Sequence, residues 1–254
     1  MKLKQLSNEF YSTYNQRNYP NILRKKTRTY AIYQIVVDGI TIGIPIKSDV
    51  KHSSSFLIKQ SGRHLPGKQP GLDFKSSIVL SDLKFVDVDG HIDDTEMKYL
   101  FKNEEKIRNQ YVKFLNSYKK FVRNPLSKCW DSWRFSHTSL EYFWKELNIL
   151  VDDEIAKKEE IELSYNLYLI LKNLQKDLGM SSRDFFIRKT SLSSVSVSYH
   201  GVYILKDLKL SDIHNYIAIN TFYDENNDIK HKHILCPKYN ELVNFIKSNI
   251  LKAN

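Results

Sequence analysis

At 254 residues, 41% of them hydrophobic, the chain carries enough apolar material for one large core or two modest ones, which argues against a fibre or a disordered tail. Its 39 Lys+Arg against 29 Asp+Glu leave a formal charge of +10, and the whole excess lies in residues 1–150, with 25 basic and 15 acidic side chains, whereas residues 151–254 hold 14 of each. A basic surface draws polyanions by releasing their condensed counterions, so nucleic acid, an anionic membrane face or an acidic protein are the partner classes this half selects.

The N-terminal MKLKQLSNEF has no apolar stretch of the secretory kind, and no segment reaches the roughly 18 apolar residues of a membrane span, so a cytoplasmic protein with no membrane partner is expected. Thr29 to Val37 is β-branched and aromatic, Asp38-Gly39 is a hairpin dipeptide, and Ile40 to Ile46 returns as a second strand. A loop rich in Gly, Pro and Lys, Ser61 to Pro70, leads to Gly71-Leu72-Asp73-Phe74, then to a strand over Ser77–Leu80 and a further candidate strand over Lys84–Val88. From Asp94 to Val122 the residues Tyr99, Ile107, Tyr111, Phe114, Leu115, Tyr118 and Val122 recur mostly at steps of three and four, which predicts one amphipathic helix laid on the sheet. A shorter helix over Ser139–Leu147 follows Trp133-Arg134-Phe135-Ser136-His137, with Phe135 in the core and Ser136 as its cap.

After residue 150 the pattern reads α-β-β-β-β-α. A helix over Glu159–Leu178 is closed by Gly179, and the charged run Asp152–Glu159 before it serves either as a linker or as the helix's first turns. One hairpin joins Leu192–Ser198 to Val202–Leu205 across Tyr199-His200-Gly201, a second joins Tyr216–Tyr223 to His231–Cys236, and a final helix covers Tyr239–Leu251. The expected class is therefore α+β: a basic domain over 1–150, with a small, mostly antiparallel sheet and packed helices, then a second α+β domain over 151–254. Cys129 and Cys236 lie far apart with no C-x-x-C spacing, so neither a disulfide framework nor a structural zinc site is indicated. In Lys230-His231-Lys232-His233 strand alternation sends His and Lys to opposite faces, which favours a solvated edge over a metal site.

The chemistry concentrates just after the second strand, where Lys47, Ser48, Lys51 and His52 fall within six residues on the basic half. Cleavage of RNA by its own 2′-hydroxyl needs a base for that proton, compensation of the added charge on phosphorus, and a proton for the leaving 5′-oxygen. Lys51 or Arg28 suits the phosphorane oxygens, Ser48 can donate to one of them, and an imidazole such as that of His52 exchanges protons near neutrality. Arg28, always protonated, is limited to electrostatics. Arg24, Lys25, Lys26, Tyr30, Arg63, His64, Lys75 and Arg134 supply candidate RNA contacts, and Tyr30, Tyr33, Phe56 or Phe74 can stack a base if they face outward.

The run Tyr30 to Val37, Gly39, Gly43-Ile44-Pro45-Ile46-Lys47-Ser48-Asp49-Val50-Lys51-His52, then Gly71-Leu72-Asp73-Phe74-Lys75-Ser76-Ser77, the long helix, and Trp133-Arg134-Phe135-Ser136 with Leu140 resembles the toxins of type III toxin-antitoxin systems, the ToxN/AbiQ/TenpN endoribonucleases, and the TenpN branch most of all. The resemblance covers about residues 1–150. It implies a compact barrel-like fold similar to the MazF and Kid toxins, RNA cleavage without a metal or other cofactor, inhibition by a repeated RNA pseudoknot antitoxin, and a part in abortive phage infection. The family's Pro-Leu-Thr-Ser-Pro-Lys pattern maps Pro45-Ile46 onto Pro-Leu, Lys47 onto Thr and Ser48 onto Ser, with Lys51 one residue beyond the Lys; Arg28 stands where the family has a Lys ahead of the first strand. A non-catalytic RNA-binding protein on the same scaffold is the alternative, and a regulator acting through residues 151–254 is a third class.

Overall fold

The computed structural model describes residues 2–24, 31–62, 66–191, 193–212, 216–223 and 229–251, with the backbone alone for 212, 217, 219–223 and 229–233. It is an α+β structure of antiparallel sheets and helices that divides into two compact units, residues 1–120 with 137–150, and residues 121–136 with 151–254. The segment 121–136, expected in the first domain, instead packs with the second: Ser164 Oγ donates to the Pro125 carbonyl at 2.7 Å, and Leu126 and Cys129 are buried in the second unit's core.

In the first unit β1 (Lys2–Leu6), α1 (Asn8–Thr13), β2 (Ala31–Val37), β3 (Ile40–Lys47), β4 (Ser55–Leu57), β5 (Gly71–Asp73), β6 (Ile78–Val79) and β7 (Val86–Asp89) precede α2 (Asp94–Lys102) and α3 (Glu104–Arg123). The sheet has seven strands in the order β4-β5-β3-β2-β1-β7, with β6 also on β3, and every pairing is antiparallel. The β2–β3 hairpin turns on Asp38 and Gly39 at φ 51° and 79°, the left-handed pair that a two-residue turn between right-twisted strands demands. β3 is central and buried from Ile42 to Ile46, because its free edge is shared: Ile42 and Gly43 pair with β6, Ile46 and Lys47 with β5. Pro45, with no N–H to give a ladder, falls at that change-over.

Strand β1 and helix α1 have no counterpart among the expected elements. Lys-Leu-Lys-Gln-Leu reads as too polar for a strand, yet β1 lies between β2 and β7, where Leu6 is buried and Lys4 pairs with Asp89 at 2.7 Å. The single helix expected over 94–122 is two, broken at Asn103, whose side chain donates to the Tyr99 carbonyl at 2.8 Å. Ile107, Tyr111, Phe114, Leu115 and Tyr118 are buried as the periodicity requires, while Tyr99 is half-buried and Leu100 takes its core place. Residues 139–142 form one 3-10 turn capped by Thr138, with the helix over 139–147 and the Ser136 cap both absent; Ser136 Oγ is buried without a partner.

β4 and β5 approach so closely at Gly71 that a Cβ there would lie 2.7 Å from the Phe56 carbonyl oxygen. Because that neighbour is backbone, Gly71→Ala must spread the two strands. The expected outcome is a loss of about 1–3 kcal/mol in thermal or denaturant unfolding.

The second unit holds α4 (Ser132–Phe135), α5 (Glu154–Leu178), β8 (Phe185–Ser191), β9 (Ser194–Tyr199), β10 (Val202–Lys209), β11 (Tyr216–Tyr223), β12 (Ile229–Cys236) and α6 (Tyr239–Asn249). The charged run is the start of α5: Asp153 caps it, accepting from Ile155 N and Ala156 N, and Gly179 at φ 67° closes it. Among the described residues five strands stand where four were expected. The additional strand is β8, which carries no apolar alternation because most of it is exposed at the edge of the β10-β9-β8 sheet. β11 pairs with β12, and His200 and Gly201 turn β9 into β10 at φ 48° and 82°. Leu163, Leu167 and Leu171 of α5 meet Val195 and Val197 of β9 in one core, which also buries the free thiols of Cys129 and Cys236. Burial, then Asp131, pushes the Cys129 thiol up to about 12, so it packs as a small apolar group.

Candidate functional site around Asp73

Three strands meet at the end of β3. Register sets Lys47 opposite Gly71 and Ser55 opposite Asp73; the Lys47 side chain reaches Asp73, two residues along β5 from its own partner, and His52 from the loop after β3 reaches the same carboxylate. Asp73 then caps a 3-10 turn over Phe74–Ser76, accepting from the Lys75 N–H at 3.0 Å through Oδ1. The same Oδ1 accepts from His52 Nε2 at 3.1 Å, while Oδ2 is bound by the Lys47 ammonium and by Ser76 Oγ at 2.7 Å. Lys47 Nζ also reaches Ser76 Oγ at 3.5 Å.

Asp73 is 1% exposed, yet it is ionised. Burial alone would raise its carboxyl, but the hydrogen bond from His52, the charge and hydrogen bond of Lys47 and the Ser76 hydroxyl outweigh that and hold it well below the usual carboxylate range. Lys75 moves the other way for a cation: burial lowers it below the ordinary lysine range, Asp73 opposes the shift and Lys47 reinforces it. Among the described residues the corner therefore presents two lysines and an imidazole around one carboxylate, a net cationic set.

The helical layer holds this turn from beneath. Phe74 packs edge-on against Tyr111 with centroids 5.3 Å apart, and the Tyr111 hydroxyl donates to Ser77 Oγ at 3.0 Å. Thr138 Oγ1 and Ser139 Oγ donate to the Lys75 carbonyl at 2.5 and 3.2 Å, and Ser139 also reaches the Ser77 carbonyl at 2.7 Å. Such anchoring leaves the Asp73 carboxylate little freedom to turn.

Of the expected catalytic residues, the structure brings Lys47 and His52 together on Asp73. Ser48, one step beyond the strand, is exposed, and Lys51 is 83% exposed beside Asp49 at 3.3 Å. Asp49 is in turn tied to Gln69 N, whose backbone bond comes first among the causes that lower its carboxyl. Arg28, Lys25, Lys26, Tyr30, Arg63 and His64 lie outside the described residues, as do the side chains of Lys230, His231, Lys232 and His233. Arg24 is occupied within the fold: its guanidinium donates to the carbonyls of Tyr11 and Tyr14 at the end of α1 and lies 4.9 Å from the Tyr11 ring centroid. Arg134 is half-buried in the second unit, 4.9 Å from the Phe135 ring centroid.

The outward-facing condition for stacking a base is not met at Tyr33, Phe56 or Phe74. All three are buried, at 1%, 4% and 3% exposure, and the rings of Phe56 and Phe74 lie against Tyr99 of α2 and Tyr111 of α3. Asp73 and Ser76 are the site members that the residue types alone did not single out, although both lie inside the Gly71–Ser77 motif. Among the described residues no group of three or more His, Cys, Asp and Glu is placed to hold a metal ion, and no helix is long and apolar enough to cross a membrane. No family model, curated protein or solved structure matches the chain.

Proposed function

We propose that this protein is a metal-independent endoribonuclease, the toxin of a type III toxin-antitoxin system, which cleaves RNA by attack of the 2′-hydroxyl and leaves a 2′,3′-cyclic phosphate. In this reading the seven-stranded sheet of the first unit corresponds to the barrel-like sheet of the ToxN, MazF and Kid toxins. The antitoxin is a repeated RNA pseudoknot that covers the same site, and the setting is the cytoplasm during phage infection. The observation that carries the proposal is the convergence of Lys47, His52 and Lys75 on buried Asp73 at the corner where the ToxN-like motif ends. A cluster of two lysines and an imidazole around one carboxylate suits a phosphodiester whose charge increases in the transition state.

Purified protein incubated with a mixed RNA pool in EDTA is expected to cut at discrete sites and leave 2′,3′-cyclic phosphate ends. RNA that is retained in a binding assay but stays intact would instead favour a non-catalytic RNA-binding protein.

A further inference from the structure

We infer that a cleft beside the β2–β3 turn is a nucleotide-binding site, taking the phosphate of a nucleoside phosphate on Lys2 and Arg108 and its base on an apolar wall that includes Val36 and Leu83. Binding there needs no cleavage chemistry and is separate from the nuclease reading above.

The cleft lies wholly within the first unit and holds about 590 Å³, inside the range of roughly 300–1,000 Å³ usual for small-molecule sites. Strand register builds one side of it: Lys2 is opposite Gln34 and Val36 opposite Thr41, so β1, β2 and β3 present these four side chains on one face. The Leu80 N–H donates to the Thr41 carbonyl at 2.9 Å, which brings the following turn, with Asp82 and Leu83, up to the hairpin. Helix α3 adds Glu104 and, one turn later, Arg108. Thr41 stands second in β3 and Lys47 last, so roughly 20 Å of strand separates the cleft from the Asp73 corner at ~3.3 Å per residue.

The lining combines three chemistries that few ligands share. Lys4 is held by Asp89 at 2.7 Å, but among the described residues Lys2 and Arg108, both exposed, make no ion pair. Their charges are available to an anion, and the planar guanidinium of Arg108 can hold two phosphate oxygens at once. Val36 is 53% exposed and Leu83 89%, so two large apolar side chains of the same cleft stand open to water. Gln34, Thr41 and the carboxylates of Asp82 and Glu104 supply hydrogen-bonding groups. An inorganic anion would leave Val36 and Leu83 uncovered, and an acyl chain would bury the polar groups against hydrocarbon that offers them no partner. A nucleotide meets all three conditions: phosphate for the cations, a flat apolar base face for Val36 and Leu83, and ribose hydroxyls and base edge for the polar groups.

The test is calorimetric titration of the full chain with the ribonucleoside 5′-monophosphates, the matching nucleosides and inorganic phosphate, for wild type, Lys2→Ala, Arg108→Gln and Leu83→Ser. At least one monophosphate is expected to bind saturably, and about tenfold or more tighter than phosphate or its own nucleoside. Lys2→Ala and Arg108→Gln should each weaken that monophosphate about tenfold, through loss of a charge-assisted hydrogen bond, and Leu83→Ser about threefold, through loss of apolar cover. All three residues are exposed, so melting curves should match wild type. A 2′-O-methyl oligoribonucleotide, which has no 2′-hydroxyl to react, separates two sources of the ligand. If Arg108→Gln weakens the monophosphate alone, the cleft takes free nucleotides; if it weakens both, the cleft takes one nucleotide of an RNA strand.

Monophosphates that bind no tighter than phosphate, or wild-type affinity in Lys2→Ala, Arg108→Gln or Leu83→Ser, would each overturn the inference and leave the nuclease reading in place. Weakening by Lys47→Met and not by Arg108→Gln would move the ligand to the Asp73 corner and overturn it as well. A protein that cuts no RNA loses the nuclease reading without altering these affinities. Should Lys2→Ala disturb β1, Arg108→Gln and Leu83→Ser decide.

Discussion

Asp73→Ala is expected to destabilise the first unit by about 3–5 kcal/mol, the cost of removing one partner from a buried ionic cluster and leaving its other members uncompensated. The carboxylate is the common acceptor for Lys47, His52, Ser76 and the Lys75 N–H, and its loss strips the half-buried Lys47 and His52 of that partner together. Acid titration gives a second readout. The folded-state carboxyl is held below its unfolded value of about 3.9, so this contribution is fully present above roughly pH 4 and is lost as pH falls toward the folded value. Equilibrium unfolding across pH 2–7 should show an acid limb in wild type that is smaller in D73N. Equal stability of wild type and D73A would show that the cluster has no energetic content.

On the proposed nuclease reading, the second large effect concerns charge at phosphorus. Lys47→Met keeps the aliphatic stem but removes the only ammonium bonded directly to the Asp73 carboxylate among the described side chains. It is expected to lower kcat/KM for RNA by about 10²–10³-fold, the range measured when one preorganised transition-state donor is deleted. Lys47→Arg keeps the charge and should retain more activity than the methionine variant. Melting curves separate this from misfolding, since loss of the ion pair alone leaves Asp73 bound by His52 and Ser76. Equal cleavage by K47M and wild type would remove Lys47 from the reaction.

Much of the framework was legible in residue order because it rests on local rules. Asp38-Gly39 marks a turn that needs two left-handed residues, Gly179 marks the end of α5, and the three-and-four spacing from Ile107 to Tyr118 marks a buried helix face. The stretch holding the candidate site was legible for a similar reason: Lys47 ends β3 and His52 lies in the short loop after it, within a basic region. Which of its residues meet was not. Consecutive residues at a strand end point in different directions, so Lys47 turns toward Asp73 while Ser48 faces solvent, and Lys51 finds Asp49 instead of the buried carboxylate.

By itself the sequence determined the α+β class, the basic first half, the main hairpins and helices, and the stretch in which reactive side chains are gathered, since periodicity, turn chemistry and net charge act over short spans. Only the tertiary structure decided that Asp73 is the hub, that Tyr33, Phe56 and Phe74 are core, that Lys2–Leu6 is a strand and that 121–136 belongs with the second unit. The physical reason is the same in each case. Pairing of β3 with β5, and of β1 with both β2 and β7, joins residues distant in the chain, and burial and charge compensation are properties of those meetings and not of any one segment.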